Sequence, residues 1–221
     1  MRYDALVFDN DGVLTTPTRS DALRRAMRTA FETVGAPSPS PADVETLIRP
    51  DVPSLRAIAE ECGVDPSTLW EARERAAIDV QLAEIRAGRK RLYDDVTTLA
   101  DLADLDVPRA IVSNNQHETI ANIVDHFGLE GFDPWYGREP TLDGIRRKKP
   151  TPYYLERALE ALDCERPLYV GDSRIDVIAA EAAGIDSAFV WREHRTGYEF
   201  PEEPTHEIDS LTALATLVDA P

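Results

Sequence analysis

Lysine is nearly absent from this 221-residue chain: of 24 Lys and Arg only Lys90, Lys148 and Lys149 are lysine, against 41 Asp and Glu. The formal net charge of −17 argues against nucleic acid or an anionic membrane as the main partner, because binding a phosphate backbone needs clustered cations. Cysteine is scarce as well. Cys62 and Cys164 lie far apart, with no second Cys or nearby His at ligand spacing, which excludes a disulfide framework or zinc motif. No apolar run approaches the roughly 20 residues of a membrane span. The first residues, Met1-Arg2-Tyr3-Asp4, run into a strand without a signal-peptide pattern, so a soluble cytoplasmic protein is expected. Oligomeric state is not legible.

Hydrophobic residues make up 43% of the chain, enough for a real core, which excludes global disorder. The length suits one large α/β domain or a core domain with a smaller insert. The acidic, lysine-poor composition is read as adaptation to molar salt, a halophilic trait. Self-repulsion destabilises such a chain at low ionic strength and is screened at high.

Four short apolar runs, residues 5–8, 110–112, 168–170 and 188–191, are rich in β-branched or aromatic residues and too short for helices, as buried parallel strands are. Helical patterns lie between them. One carries Leu99, Leu102, Ala103 and Leu105; another carries Ile120, Ile123, Val124 and Phe127, ended by Gly128. Thr151-Pro152 reads as an N-cap and N1 proline leading Leu155, Leu159 and Leu162. Ile175, Ile178, Ala179 and Ala182 form the last pattern, ended by Gly184. This alternation predicts an α/β fold with a doubly wound parallel sheet. Residues 16–90 break it with helical periodicity alone: a stripe from Leu23 to Val34, a start at Ser40-Pro41, and a third segment capped by Asp65-Pro66. Stretches 36–41 and 50–53 read as connectors. The expected division is a catalytic core of residues 1–15 and 91–221 with a helical insert, 16–90, after the first strand.

Three of the strands run into small polar or acidic residues: Asp9-Asn10-Asp11-Gly12, Ser113-Asn114 and Gly171-Asp172-Ser173. In an open parallel sheet the carboxyl ends of the strands share one edge, where ligands bind. Asp9 and Asp11, two apart, can point to the same side of extended backbone. Asp172 and Asp176, four apart, share a helix face if the helix begins just after Gly171. Carboxylates gathered this way repel unless a cation joins them. With no Cys or His in the set, a hard ion bound through oxygen is expected, which selects Mg²⁺ over zinc or copper. Lys149 ends the only dense basic run, Arg146-Arg147-Lys148-Lys149, and suits a phosphoryl dianion beside that metal; Lys148 is read as solvated. Ser113, placed at the start of the following helix, can offer its hydroxyl and neighbouring amides to a phosphate oxygen.

At these residues the chain resembles the haloacid dehalogenase-like superfamily. The run from Phe8 to Leu14 is similar to the first motif of that family, Val112-Ser113-Asn114 to the second, Lys149-Pro150-Thr151-Pro152 to the third, and Gly171 to Asp176 to the fourth. His126-Phe127-Gly128-Leu129 and residues 179–184 resemble the phosphoglycolate phosphatase branch. The resemblance implies a Rossmann-like core with an α-helical cap domain, matching the insert at 16–90. It also implies a Mg²⁺-dependent phosphatase acting on a small phosphorylated metabolite, phosphoglycolate as the first choice. Asp9 would be the nucleophile that becomes an aspartyl-phosphate, and Asp11 the general acid and base. Asp9, the backbone carbonyl of Asp11, Asp172 and Asp176 would hold the metal. Ser113 and Lys149 would stabilise the phosphoryl oxygens, with Ser113, Asn114 and Lys149 binding the substrate.

Asn10 departs from the apolar residue usual between the two aspartates and needs a hydrogen-bond partner in the packing. Val13 and Asp94-Asp95 also depart from the commoner residues. A sugar-phosphate mutase of the same superfamily is the alternative, with Arg49 and Arg56 available to hold its substrate. Asp11 argues against a dehalogenase. Lys90, at the edge of the insert, makes a Schiff-base phosphonate hydrolase a poor fit. A non-catalytic phosphate-binding or interaction module is disfavoured because every motif position is filled. His117 is expected to be an exposed helix residue.

Overall fold

The computed structural model describes residues 3–105, 107–129, 131–199 and 202–219. Among them, six strands form one sheet: β1 (Ala5–Phe8), β2 (Arg109–Gln116), β3 (Trp135–Arg138), β4 (Pro167–Gly171), β5 (Asp186–Val190) and β6 (His206–Ile208). All pairs are parallel, in the order β3-β2-β1-β4-β5-β6. The order reverses between β1 and β4, and such a switch point opens a crevice at the carboxyl ends of the strands.

Period-two alternation puts Leu6, Phe8, Ile111, Leu168 and Val170 on one face of the sheet. That face packs on Ile120, Ile123 and Val124 of α5 (His117–Phe127). Val7, Ala110, Val112 and Tyr169 take the opposite face, against Leu155 and Ala158 of the later helix Tyr153–Leu162. Both faces are covered, which is why the central strands read as unbroken apolar runs.

Between β1 and β2 lie four helices: α1 (Ser20–Thr33), α2 (Pro41–Ile48), α3 (Val52–Glu61) and α4 (Pro66–Arg86). They enclose a separate cluster around Met27, Phe31, Leu47, Leu55, Leu69 and Trp70. Their starts are local. Ser40 and Asp43 close a capping box on α2, and Asp51 and Asp65 accept from backbone amides at the starts of α3 and α4.

Several expectations need correction. Stretch 50–53, read as a connector, contains the cap and first residues of α3, because Asp51 supplies the acceptor and Pro53 tolerates the first turn. β3, β6 and the short α6 (Leu142–Arg147) carried no legible apolar pattern. α7 (Tyr153–Leu162) starts after Pro152, and the Thr151 hydroxyl donates instead to the Arg146 carbonyl at 3.2 Å. Segment Asp94–Leu105 is a 3-10 helix, and the side chains of Leu102, Ala103 and Leu105 lie outside the described residues. In α8 (Arg174–Ala182) Ile175 is exposed; Val177, Ala179 and Ala180 face the core. No described helix is long and apolar enough to cross a membrane.

Candidate active site

Asp9 and Asp172 follow β1 and β4, on either side of the switch point, and the Asp9 amide donates to the Val170 carbonyl at 2.9 Å. The turn after β1 is closed by the Asn10 carbonyl, which accepts from the amides of Leu14 and Thr15 at 2.9 Å each. Asn10 is fully buried; its side-chain amide donates to the Thr15 hydroxyl at 3.0 Å, while its side-chain oxygen has no hydrogen-bond partner among the described residues. Gly12 has φ +89°, and a Cβ there would overlap the Asp172 carboxylate. A Cβ on Gly171 would overlap Asp176. Two glycines thus permit the close approach of the carboxylates.

Asp9, Asp172 and Asp176 are buried, and each offers a carboxylate oxygen within 4.8 Å of the others. The route to this cluster differs from the expected shared helix face. Asp172 precedes α8, whose cap is Ser173, and the bend at 171–173 brings the two together. Asp176 closes the capping box, accepting from the Ser173 amide at 3.1 Å. The Asp11 carboxylate lies outside the cluster.

Lys149 is buried among these acids. Its ammonium is 2.7 Å from Asp176 and 3.0 Å from Asp9, and it donates to the Tyr169 hydroxyl at 2.6 Å and the Val112 carbonyl at 3.1 Å. Asn114 fixes the segment: its amide donates to the Lys149 carbonyl at 2.9 Å, and its side-chain oxygen accepts from the Lys149 amide at 2.7 Å. Ser113 lies inside β2, not at a helix start, since α5 begins at His117; its hydroxyl accepts from the Asn115 amide at 3.2 Å. His117 is exposed, as expected.

Burial pushes the Asp9 carboxyl up to about 7; Lys149 opposes this, and Asp176, Asp172 and Asp11 add to it. Burial also pushes Asp172 up, but His194 and Arg195, at 2.7 and 2.9 Å from its Oδ2, outweigh burial and hold it below the usual range. Burial lowers Lys149, and the carboxylates of Asp176 and Asp9 more than reverse that. Three buried carboxylates thus face two fixed cations, Lys149 on Asp9 and Asp176 and Arg195 on Asp172. The donor set is oxygen alone, which fits a hard divalent cation.

A family model described as haloacid dehalogenase-like hydrolase matches residues 3–184. The chain belongs to this hydrolase family. A phosphoglycolate phosphatase of Vibrio cholerae serotype O1 is 30% identical, covering 96% of this chain and 96% of its own. A 5'-nucleotidase of Pseudomonas aeruginosa is 28% identical, covering 100% of this chain and 97% of its own. Among solved structures, CbbY from Rhodobacter sphaeroides in complex with phosphate has a TM-score of 0.71 at 21% identity, with 96% of each chain covered. That likeness concerns the fold.

In this hydrolase a cavity of about 710 Å³ lies between the helical insert and the carboxyl edge of the sheet, with Asp11, Asn114, Asn115, Gln81, Arg73 and Arg138 among its lining. Sequence reasoning missed most of these. Asn115 donates to Asp11 at 2.6 Å and to Gln81 of α4 at 2.8 Å. Lys90, set aside as an edge residue, is buried and ion-paired with Asp11. Lys148 is not simply solvated, because its ammonium donates to the Pro50 carbonyl of the insert at 2.5 Å. The one available signal was the rarity of lysine, since all three lysines contact the cluster, Asp11 or the insert. His194, Arg195, Gln81 and Arg138 carry no motif of their own.

Proposed function

We propose that this hydrolase is a Mg²⁺-dependent phosphatase that cleaves a small phosphate monoester through an aspartyl-phosphate, with phosphoglycolate as the leading substrate. The observation that carries the reading is the buried trio Asp9, Asp172 and Asp176 with Lys149 inside it. The similarity to phosphoglycolate phosphatases over nearly the full chain supports the substrate.

Asp9 would attack phosphorus in line. The bond from phosphorus to the ester oxygen breaks, and Asp11 delivers a proton to that oxygen as it leaves. Asp11 then takes a proton from the water that cleaves the aspartyl-phosphate, releasing phosphate and restoring Asp9. Lys149, held by Tyr169 and the Val112 carbonyl, and the Ser113 hydroxyl would stabilise charge on the phosphoryl oxygens. Asp9, Asp172, Asp176 and the backbone carbonyl of Asp11 would hold Mg²⁺, which when bound neutralises phosphoryl charge. Residues 16–90 would act as the cap over the cavity.

A nucleoside monophosphate is a second reading, favoured by the 5'-nucleotidase relative and by the cavity volume. A phosphate-release panel over phosphoglycolate, sugar phosphates and nucleoside monophosphates, with Mg²⁺ and with chelator, tests both. Release from phosphoglycolate that chelator abolishes is the expected result. Chelator-insensitive release, or none from any ester, would overturn the reading.

A further inference from the structure

The cavity wall carries more positive charge than a chain of net charge −17 would lead one to expect. Four arginines line it, Arg24, Arg49, Arg73 and Arg138, against two acids, Asp11 and Glu45. Arg24 is paired with Glu45 at 2.5 Å. Arg73 and Arg138 are both buried, and both donate to one oxygen of one carboxylate, Glu74 Oε1, at 2.7 and 2.9 Å. Two guanidiniums against one carboxylate leave a unit of positive charge buried, which desolvation opposes unless an anion arrives. Burial pushes the Arg73 guanidinium down to about 10, with Glu74 opposing and Arg138 adding to the shift.

Arg138 is held as a receptor would be. Its guanidinium stacks over Trp70, 4.6 Å from the ring centroid, and its Nε donates to the Asn114 carbonyl at 3.3 Å. With Nη2 on Glu74, Nη1 is left buried without a hydrogen-bond partner among the described residues. Arg49, on the same wall, is exposed and has no ion pair among the described residues. A hydrogen-bonded path, Asn115, Gln81 and Gln116, connects Asp11 to Glu74 and sets the arginines at a remove from the reacting end.

We infer that this wall is a distal anion subsite, where Arg138 and Arg49 bind a carboxylate or second phosphate at the non-reacting end of the substrate. Arg73, committed to Glu74 and to the carbonyls of Leu47 and Ile48, holds the wall in place. The planar guanidinium fork suits either group. The inference rests on the phosphatase reading, which places the ester phosphate at Asp9, and it adds that the best substrates carry two anionic ends, as phosphoglycolate does and a nucleoside monophosphate does not.

The test is matched ester pairs. Phosphoglycolate against ethyl phosphate isolates the carboxylate; propane-1,3-diol bisphosphate against propyl phosphate isolates the second phosphate. The wild type should show kcat/KM ten-fold or more higher for the dianionic-ended member of at least one pair, and the responding pair identifies the group. Arg138→Gln and Arg49→Gln should each shrink that ratio several-fold, while Arg28→Gln, on an exposed face of α1, leaves it alone. Gln retains a donor for Glu74, and Arg49 is exposed, so the pair of variants guards against misfolding. A wild-type ratio near one in both pairs, or a ratio that neither variant moves, overturns the subsite. If no ester is hydrolysed, the phosphatase reading fails, and the same ratios read as calorimetric affinities still decide the subsite, because binding needs no turnover.

Discussion

Lys90 is ion-paired with Asp11 across 79 residues of sequence, and its ammonium also donates to the Thr16 carbonyl at 3.0 Å. Lys90 follows α4, where the chain leaves the insert; Thr16 lies where it enters, and the Thr16 amide donates to the Arg91 carbonyl at 2.8 Å. The two connections of the insert therefore run side by side, and the lysine between them holds the proposed proton donor. Lys90→Met should lower kcat by up to about hundred-fold, the low end of what a positioned general acid contributes, and change KM less. Steady-state phosphate release measures it; an unchanged kcat removes Lys90 from the catalytic arrangement.

Asp9→Asn should abolish turnover, because the amide is no nucleophile toward phosphorus. Asp11→Asn should slow first-turnover release of the alcohol from alkyl esters by about 10²- to 10⁴-fold and of p-nitrophenol far less, since a good leaving group needs no proton. The loss of Asp11 as a base slows the later hydrolysis step equally for both. Full activity in Asp9→Asn contradicts the covalent route, and equal first-turnover losses on both ester types contradict Asp11 as the acid.

Lys149→Met should leave Asp9 and Asp176 facing one another without their cation, costing about 3–5 kcal/mol, as breaking a buried ion pair does. Mg²⁺ should recover part of that loss. In thermal melts the added ion should therefore raise Tm more in the variant than in the wild type. Equal shifts would place the ion elsewhere.

Asp95, whose neighbouring Asp94 opens the 3-10 segment, accepts from Arg192 at 2.8 Å, the Leu211 amide at 2.9 Å and Ser210 at 3.0 Å. Burial pushes its carboxyl up, and these donors outweigh burial and hold it below the ordinary carboxylate value. A depressed folded value means the contribution is complete above the unfolded pKa, about 4, and is lost as pH falls through the folded value. Asp95→Asn should cost about 1–3 kcal/mol at pH 7, and the gap from wild type should narrow below pH 4. Urea unfolding at pH 7 and pH 3 reads both; a gap that widens on acidification has the wrong sign.

The acidic excess predicts salt-dependent stability. Carboxylates exposed on helix surfaces, such as Glu60 and Glu61, repel at low ionic strength. Unfolding free energy should rise from low salt to molar KCl, and a flat or falling dependence would end the salt-adapted reading.

The site was legible where chemistry is local. Asp9 and Asp11 sit two apart on one turn, Asp172 follows its strand, and Ser40, Asp51 and Asp65 each cap a helix within three residues. Such features depend on backbone preference and side-chain spacing over a few residues. β3, by contrast, is a four-residue strand with the sequence WYGR, whose apolar pattern is too short to register, yet its last residue lines the cavity.

By itself the sequence determined the strand–helix alternation, the helical insert and the order of the four motifs, because periodicity and motif spacing are properties of contiguous residues. Only the tertiary structure decided that Lys90 meets Asp11, that His194 and Arg195 hold Asp172, and that Arg73 and Arg138 share Glu74. Those pairings join segments 22 to 79 residues apart in the cases of Asp172 with His194 and Asp11 with Lys90, and crossovers and the seating of the insert set them. Spacing along the chain carries no record of which distant side chains will meet, and the charge balance of the cavity follows from that meeting.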